Sequence, residues 1–388
     1  MAKARLVIPA QKSASQMGEL PDLAIYHITS RVVHRGFLLK EEEREQFRVF
    51  LRMYERFSGC RVLSYCVMTN HFHILLEVPP GCEKGESLGL SDEELLRRLG
   101  GLYSRSYVAG VERKMEEAKK LISDDWEGAK DLDEKALVKA RRAGKKMLQE
   151  IHVRYSYRMH SLSEFMKGLL QRFTRWFNKK HGLRGTLWEE RFHSVIVQDG
   201  LASRMMAAYI DLNPVRAGIC KDPADYRWSS YGEAVGGGRG RHVARAGLVR
   251  ALHAHQGREG SSRAWAQGGV SKEYRRLLVS EGIEGAQVRP NGQRVVTKKG
   301  QKREVAEKEL ARLAQERERD LKVSKIVRCQ VRYFVDGAAI GSRSFVDQIF
   351  KTCRDQFQGN RETGARKPRG ALSDLKGEIW SLRDLQRE

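Results

Sequence analysis

The 388-residue sequence has no long apolar run. No stretch of about 18 consecutive apolar residues is present, so no transmembrane helix is predicted. The opening stretch MAKARLVIPAQKSASQ has a basic start and only a short apolar patch, which does not fit a signal peptide. No lipidation motif is found either. These absences predict a cytoplasmic protein with no membrane partner.

The sequence also lacks paired cysteines. Six cysteines are present and none forms a Cys-x-x-Cys motif: Cys60, Cys66, Cys82, Cys220, Cys329 and Cys353. This spacing argues against a zinc ribbon and against a thioredoxin-type redox pair. Buried free thiols are the favoured interpretation. A zinc site that joins Cys66 to His71 and His73 is the alternative, although a fourth ligand at finger-like spacing is missing.

Acidic residues are too few to balance the basic ones. The chain has 72 Lys and Arg against 49 Asp and Glu, a formal charge of +23 and a pI near 9.9. An excess of this size predicts a polyanionic partner. Nucleic acid is the first candidate, because cationic side chains that neutralise phosphates release counterions. An anionic membrane surface is the second candidate, and the missing membrane signals count against it.

A strand, a helix and a strand hairpin are predicted near the start of the chain. β-branched and aromatic residues in 24–33 indicate a strand, and residues 40–57 have helical periodicity. One apolar stripe of that helix is expected in the core: Phe47, Phe50, Leu51, Tyr54 and Phe57. RVLSYCVMT and FHILLEVP then read as two strands joined by a tight turn. This order predicts an α+β sandwich, and no glycine-rich phosphate loop indicates a doubly wound nucleotide-binding sheet.

Later segments predict further helices and a domain boundary. Residues 90–160 are helical and highly charged, which favours a solvated insertion over a basic DNA-contacting arm. Residues 161–185 form a helix with a capping Ser161 and a glycine stop. A short strand, SVIVQD, and a helix that ends near Pro214 follow. The glycine-rich run 236–240 indicates a linker.

We therefore predict three regions. The first is a domain over 20–235 that contains the helical insertion at about 90–160. The second is a glycine-rich linker region over 236–270. The third is a mostly helical accessory domain over 271–388, with a solvated helix at 302–322 and with DNA binding as one possible role.

Two histidines occupy a predicted strand between apolar neighbours. His71 and His73 lie two positions apart on one face of the strand, with Cα atoms about 6–7 Å apart. Neutral imidazoles at this spacing can converge on one divalent ion, and a structural pair in the core is the alternative. The same spacing at His253 and His255 falls in a predicted helix, where the side chains diverge. Two ligands leave open positions, as in catalytic sites, and Glu77 or a residue from elsewhere would be the third ligand.

Several motifs occur in a fixed order over residues 22–231. They are YHITSRVVHRG (26–36), CVMTNHFHILLEVP (66–79), FNKKHGLRGTLWEERFHSVIVQD (177–199), YIDLNPVRAGI (209–219) and WSSY (228–231). The HFH triplet resembles that of the HUH nucleases, which are named for two histidines around a hydrophobic residue. In this order the motifs resemble the REP-associated tyrosine transposases, bacterial relatives of insertion-sequence transposases. The tail segment YFVDGAAIGSRSFV resembles one found in longer members of the group.

The resemblance implies a ferredoxin-like HUH nuclease fold, a small antiparallel sheet with helices on one side. It also implies that a divalent metal, Mg or Mn, is held by His71, His73 and Asn213, and that Tyr209 is the nucleophile. Tyr209 and Asn213 are four residues apart on one predicted helix and so project about 40° from each other. One side chain can therefore reach a phosphate while the carboxamide oxygen of the other, a hard ligand, reaches the metal.

Substrate recognition is expected from basic and aromatic side chains. Seven cations are candidates for phosphate contacts: Arg172, Arg175, Lys179, Lys180, Arg184, Arg191 and Arg216. Three aromatic residues are candidates for stacking on unpaired bases, with core packing favoured for at least two of the three: Trp176, Phe177 and Trp188. Three histidines are candidates for assisting deprotonation of the tyrosine, with structural roles or phosphate contacts favoured: His27, His34 and His193.

The activity implied by the resemblance is metal-dependent nicking and joining of single-stranded DNA at hairpins of palindromic repeats. The tyrosine would form a covalent 5′-phosphotyrosine intermediate. A DNA-binding protein that does not cleave is the main alternative, and an RNA hairpin binder fits the charge and the aromatic residues equally well. The protein is expected to act as a monomer or homodimer, in the cytoplasm and associated with the nucleoid.

Overall fold

A computed structural model describes most of the chain. It covers residues 23–33, 36–83, 85–123, 126, 128, 133–253, 262–267, 269–281, 334–335, 337–357, 361–367 and 378–383. The strands are β1 (Ala24–Arg31), β2 (Arg61–Val67), β3 (His71–Val78), β4 (His193–Val197), β5 (Ala339–Gly341) and β6 (Trp380–Leu382). The α-helices up to the end of the predicted first domain are α1 (Glu41–Ser58), α2 (Asp92–Leu99), α3 (Arg105–Ile122), α4 (Glu134–Ser156), α5 (Leu162–His181), α6 (Leu201–Asp211), α7 (Asn213–Arg216) and α8 (Ser230–Val235). Those that follow are α9 (Arg241–His253), α10 (Ser262–Gln267), α11 (Val270–Glu281) and α12 (Arg343–Thr352).

One mixed sheet organises the fold. Its strand order is β2-β3-β1-β4-β5-β6, and every pair is antiparallel except β4 with β5. The first four strands, with α1 between β1 and β2, have the order of a ferredoxin-like split β-α-β unit. The predicted α+β class is confirmed, and the predicted antiparallel sheet is extended by two strands from residues 339–382.

One face of the sheet is apolar and packs against α1 and α5. Phe72 of β3 lies 4.8 Å, centroid to centroid, from Phe47 of α1, which in turn lies 5.2 Å from Phe173 of α5. The predicted stripe of α1 is buried here. Ser161 caps α5 by accepting a hydrogen bond from the Glu164 amide, and Gly182 ends the helix at φ 64°. The local sequence signals therefore predicted the buried stripe of α1 and the ends of α5 correctly.

The opposite face of the sheet is also covered by helices, in contrast to the one-sided arrangement that the resemblance implies. The Ser64 hydroxyl of β2 donates to the Ala207 carbonyl of α6. Helix α9 approaches β2 so closely that a Cβ added at Gly247 would lie 2.3 Å from the Val62 carbonyl oxygen. The absence of a side chain at this glycine therefore permits the contact, and α6 and α9 form a second helical layer.

The predicted insertion is helical, as expected. Helices α2, α3 and α4 begin at capping side chains, Ser91, Ser104 and Asp133, each of which accepts a backbone N–H bond. Helices α3 and α4 pack closely at Gly144, where an added Cβ would lie 2.6 Å from the Ala118 carbonyl oxygen. A role of the helical insertion as a DNA-contacting arm stays a prediction.

The region predicted as a linker contains regular structure. Residues 241–253 form α9, which packs on the sheet, and α10 and α11 follow it. Trp265 and Tyr274 of these two helices lie 6.3 Å apart, centroid to centroid, and both contact Tyr231 of α8. From the predicted accessory domain, β5 and β6 join the sheet of the first domain. The predicted helix at 302–322 lies outside the described residues, and the division into domains stays a prediction.

No helix in the described part of the chain is long and apolar enough to cross a membrane. The cysteines within it are free thiols: Cys60, Cys66, Cys82, Cys220 and Cys353. Cys60, Cys66 and Cys353 are buried, as predicted, whereas Cys82 and Cys220 are partly exposed. Cys329 lies outside the described residues.

Candidate active site

The histidine pair lies on β3, on the face that α6 and α9 cover. The ring centroids of His71 and His73 are 5.2 Å apart, and the ring planes are inclined by 81°. The His73 side chain is buried, whereas that of His71 is half-buried. Strand alternation sends both side chains to one face, and their convergence on one ion stays a prediction.

A third histidine contacts the pair from the neighbouring strand. His27 of β1 is paired with Leu75 in register, which makes His73 its diagonal neighbour. The His27 Nε2 and His73 Nδ1 atoms are 2.9 Å apart, and the two ring planes are parallel within 5°. The other nitrogen of His27, Nδ1, lies 2.7 Å from the carbonyl oxygen of Phe334. A residue near the end of the chain therefore reaches the centre of the sheet.

The turn before β3 orients the remaining histidine. His71 Nδ1 lies 2.6 Å from Oδ1 of Asn70, and the Met68 amide donates to the His71 carbonyl, which closes the turn. Burial lowers the pKa of His27 and of His71 to about 4. Burial also holds the pKa of His73 well below its usual range. The three imidazoles are therefore neutral at pH 7, which is the form that binds metals.

Tyr209 of α6 lies against these imidazoles. Its ring centroid is 6.0 Å from that of His73 and 6.3 Å from that of His27, edge to face in both cases. The Phe334 ring packs on it at 5.0 Å. Only 5% of Tyr209 is exposed, so the phenol is enclosed. Residues from β1, β3, α6 and the C-terminal region thus form one cluster.

Arg216 links Tyr209 of α6 to Asn213, which begins α7 rather than lying in the last turn of the single helix that was predicted. Its guanidinium carbon lies 4.0 Å from the Tyr209 ring centroid. Its Nη2 donates to the Tyr209 carbonyl at 2.7 Å and to Asn213 Oδ1 at 2.8 Å. Arg216 was predicted to contact DNA phosphates. In the structure it holds the two residues that the resemblance assigns to catalysis.

The side chains present fit a divalent cation in part. His71 and His73 use Nδ1 in the contacts described above, so Nε2 of each neutral ring is the atom that can face an ion. An imidazole that binds metal through one nitrogen usually engages the other with an oriented partner. Asn213 Oδ1, in contrast, accepts a bond from Arg216. It can act as a ligand once that bond is exchanged.

Glu77 is not placed as a third ligand. It lies six residues along β3 from His71, which corresponds to about 20 Å. Its carboxylate is 2.6 Å from Arg250 of α9. Within the described ranges, no group of three His, Cys, Asp or Glu side chains is arranged to hold a metal ion. The zinc site considered for Cys66 is therefore not found there.

One predicted base-stacking residue lies in the core instead. Trp188 is 8% exposed, its ring packs 5.4 Å from that of Phe72, and its Nε1 donates to the Thr174 hydroxyl. The stacking prediction is wrong for Trp188, because the apolar face of the sheet encloses its ring. Phe177 is buried as well, whereas Trp176 is half-buried and 5.7 Å from Phe173.

The predicted phosphate-binding cations divide into engaged and exposed groups. Lys180 forms ion pairs with Glu43 at 2.5 Å and Glu42 at 2.7 Å. Arg172 is half-buried and donates to the Leu102 carbonyl. Four others are exposed and stay candidates for phosphate contacts: Arg175, Lys179, Arg184 and Arg191.

Two partners of the histidines were not predicted from the sequence, and a third, His193, was a candidate for assisting deprotonation of the tyrosine. Asn70 falls in the tight turn predicted between the two strands, and its contact with His71 was not predicted. Phe334 lies 307 residues from His27, so no local pattern could pair them. His193 shares the face of His27 on β4, and its charged form would disfavour that of His27. His34 lies outside the described residues.

Comparison with family models connects part of this cluster to a known family. Residues 22–88 match the family described as transposase IS200 like. The matched segment contains β1, α1, β2 and β3, including His27, His71 and His73. The predicted resemblance is confirmed over these residues. The match ends before Tyr209 and Asn213.

A comparison with solved structures identifies an individual protein to which the chain is similar. The chain is similar to a REP-associated tyrosine transposase whose structure was solved bound to a REP hairpin. The identity is 15%, the TM-score is 0.28, and the alignment covers 55% of this chain and 79% of that one. A comparison with curated proteins gave no match.

Proposed function

We propose that the protein nicks and rejoins single-stranded DNA at hairpins, with Tyr209 as the nucleophile. The main support is the cluster itself. Three separate sequence motifs supply His27, the His71 and His73 pair, and Tyr209, and the Tyr209 ring lies 6.0 Å from that of His73. A tyrosine beside neutral imidazoles, in a chain with a formal charge of +23, is suited to phosphodiester chemistry.

The reaction is a transesterification. The Tyr209 phenol loses its proton as its oxygen attacks the phosphorus of a DNA phosphodiester, the bond from phosphorus to the 3′ oxygen breaks, and the 3′ oxygen takes up one proton and leaves as a hydroxyl. The 5′ phosphate remains linked to the tyrosine. The bond energy is retained in this link, so a 3′ hydroxyl can attack it and restore a phosphodiester. No nucleoside triphosphate is consumed.

Each side chain of the cluster has a role in this proposal. His71 and His73, with Asn213, would hold a magnesium or manganese ion. When bound, such an ion supplies charge stabilisation for the phosphate oxygens. Arg216 keeps a positive charge against the phenol ring, which favours the anionic form that attacks. Release of Asn213 from Arg216 would bring its oxygen into the ligand set.

A hairpin-binding protein without cleavage activity is the second candidate. Two observations favour it: the phenol is only 5% exposed, and Asn213 is held by Arg216. A cleaving enzyme must open this enclosure when the substrate binds. A binder can keep it closed.

An adduct assay separates the two candidates. The full chain is incubated with labelled single-stranded hairpin DNA and Mn²⁺ or Mg²⁺, and denaturing gels detect a covalent complex. We expect an adduct that chelator prevents and that Tyr209→Phe eliminates. Tyr157→Phe is the matched control, because Tyr157 is an exposed tyrosine 49% accessible to solvent, and its adduct yield should be unchanged.

Three other outcomes oppose the proposal. Tight DNA binding without any adduct supports the non-cleaving binder. Stronger binding to the same hairpin made of RNA supports an RNA partner. An adduct that persists in Tyr209→Phe means that another residue is the nucleophile.

A further inference from the structure

A chain of hydrogen bonds leads from the C-terminal region to the metal-binding edge of His73. The Phe334 carbonyl oxygen lies 2.7 Å from His27 Nδ1, and His27 Nε2 lies 2.9 Å from His73 Nδ1. His27 is 1% exposed and His73 is 5% exposed, so water does not replace these partners. The two ring planes are parallel within 5°, and the two nitrogens that face each other lie at hydrogen-bond distance.

The direction of each bond follows from donor and acceptor chemistry. A carbonyl oxygen can only accept, so the proton of the first bond belongs to His27 Nδ1. A neutral imidazole carries one N–H, so His27 Nε2 is an acceptor. The proton of the second bond therefore belongs to His73 Nδ1. The reverse tautomer of His73 would set two lone pairs against each other at 2.9 Å.

We propose that His27 is a positioning residue that fixes His73 in the Nδ1–H tautomer and leaves the Nε2 lone pair of His73 available to a divalent cation. We call the hydrogen bonds from Phe334 through His27 to His73 the relay, and the Phe334 carbonyl sets its direction. This proposal rests on the proposed function, because it assumes that the ion binds at His71 and His73.

The relay gives the C-terminal region a place in the site. Phe334 contributes its carbonyl to His27 and its ring to Tyr209, which lies 5.0 Å away. Two later strands of the same region, β5 and β6, join the sheet beside β4. The segment is outside residues 22–88, so the relay depends on a part of the chain that the family match does not include.

Nitrogen NMR of the metal-free full chain tests the tautomer directly. The protein is labelled with ¹⁵N at histidine rings, and the His73 signals are identified by their loss in His73→Gln. We expect a protonated-type shift at His73 Nδ1 and an unprotonated-type shift at Nε2. In His27→Leu this preference should be lost. A His73 that carries its proton on Nε2 in the unaltered chain would overturn the proposal, even if the variant does not fold.

Metal binding tests the consequence. Calorimetric titration with Mn²⁺ alone should show a Kd about 10- to 100-fold weaker for His27→Leu than for the unaltered chain, the range typical of lost second-layer partners. His152→Leu is the matched control, since His152 is another buried histidine that is bonded to Asp92 in the helical insertion. Its Kd should be unchanged.

The two proposals fail differently in this experiment. If the unaltered chain does not bind Mn²⁺, the metal site of the proposed function is wrong. If it binds Mn²⁺ and His27→Leu binds within threefold of it, the metal site stands and the positioning role of His27 is wrong.

Discussion

The two faces of strand β3 differ in composition, although their residues alternate along the same strand. Phe72 faces two aromatic rings, Phe47 of α1 and Trp188 of the loop before β4. His73 faces His27 and Tyr209. Both residues are buried. The first face is apolar, whereas the second face carries imidazole nitrogens, several of which have hydrogen-bond partners.

This difference predicts that the two faces contribute to different properties of the protein. Apolar contacts are non-directional and contribute mainly to the free energy of unfolding. Hydrogen bonds between buried neutral rings fix orientation more than they add to stability. We therefore expect changes on the Phe72 face to lower stability, and changes on the His73 face to lower reaction rate or metal affinity.

The largest expected effect is on the apolar face. Phe72→Ala removes a fully buried ring and leaves a cavity, so the free energy of unfolding should fall by about 3–5 kcal/mol. Chemical denaturation followed by circular dichroism measures it. His71 is the neighbouring residue and lies on the other face. His71→Ala should lower the free energy of unfolding by less than about 1.5 kcal/mol, because one hydrogen bond is lost. Equal losses would remove the distinction between the faces.

The second prediction concerns Arg216, which belongs to the polar face. Arg216→Gln removes the cation from the Tyr209 ring and the bond to Asn213, so the rate of adduct formation should fall by about 100-fold, or about 2.7 kcal/mol. Single-turnover gels measure the rate, and anisotropy measures hairpin affinity. A fall in hairpin affinity with an unchanged rate of adduct formation would instead support the phosphate contact predicted for Arg216 from the sequence.

The third prediction tests whether α9 covers the polar face. Gly247→Ala places a Cβ against the Val62 carbonyl and should lower the free energy of unfolding by about 1–3 kcal/mol. Gly110→Ala is the control, since Gly110 lies within α3 with no atom within 4 Å of its added Cβ. It should raise stability by up to about 1 kcal/mol. Thermal or chemical unfolding that ranks the two glycines in reverse would contradict the close packing.

The smallest expected effect lies outside both faces, at the end of α5. Lys179 is exposed, whereas its neighbour Lys180 is paired with two glutamates. Lys179→Gln should reduce the slope of log affinity against log salt by about 0.7 for single-stranded DNA. Lys180→Gln should leave that slope nearly unchanged, because its charge is already compensated. Binding titrations at several salt concentrations distinguish the two.

Local signals in the sequence predicted β3 and the helices on its apolar face. The stripe of α1, the alternation of β3 and the caps of α5 all lie within a few residues of the atoms they organise. Such patterns are readable because helix and strand periods are fixed by backbone geometry. The short strands β5 and β6 were not predicted, since three residues carry no recognisable period.

The prediction for Trp188 failed for a related reason. An aromatic residue among cations reads equally well as a stacking platform or as core. The pairing of its segment with the end of β1 decides between them: the Glu189 amide donates to the Arg31 carbonyl, and this draws Trp188 over Phe72. That pairing spans more than 150 residues, and no local period encodes it.

The sequence alone determined which side chains share each face of β3 and which tyrosine lies one turn before an asparagine, because both follow from periods of two and 3.6 residues. The tertiary structure decided which of them meet. Strand register brought His27 to His73, sheet extension brought the Phe334 carbonyl to His27, and helix placement set Arg216 against Tyr209. These contacts depend on strand pairing and helix packing between distant segments, so they exist only once the chain has folded.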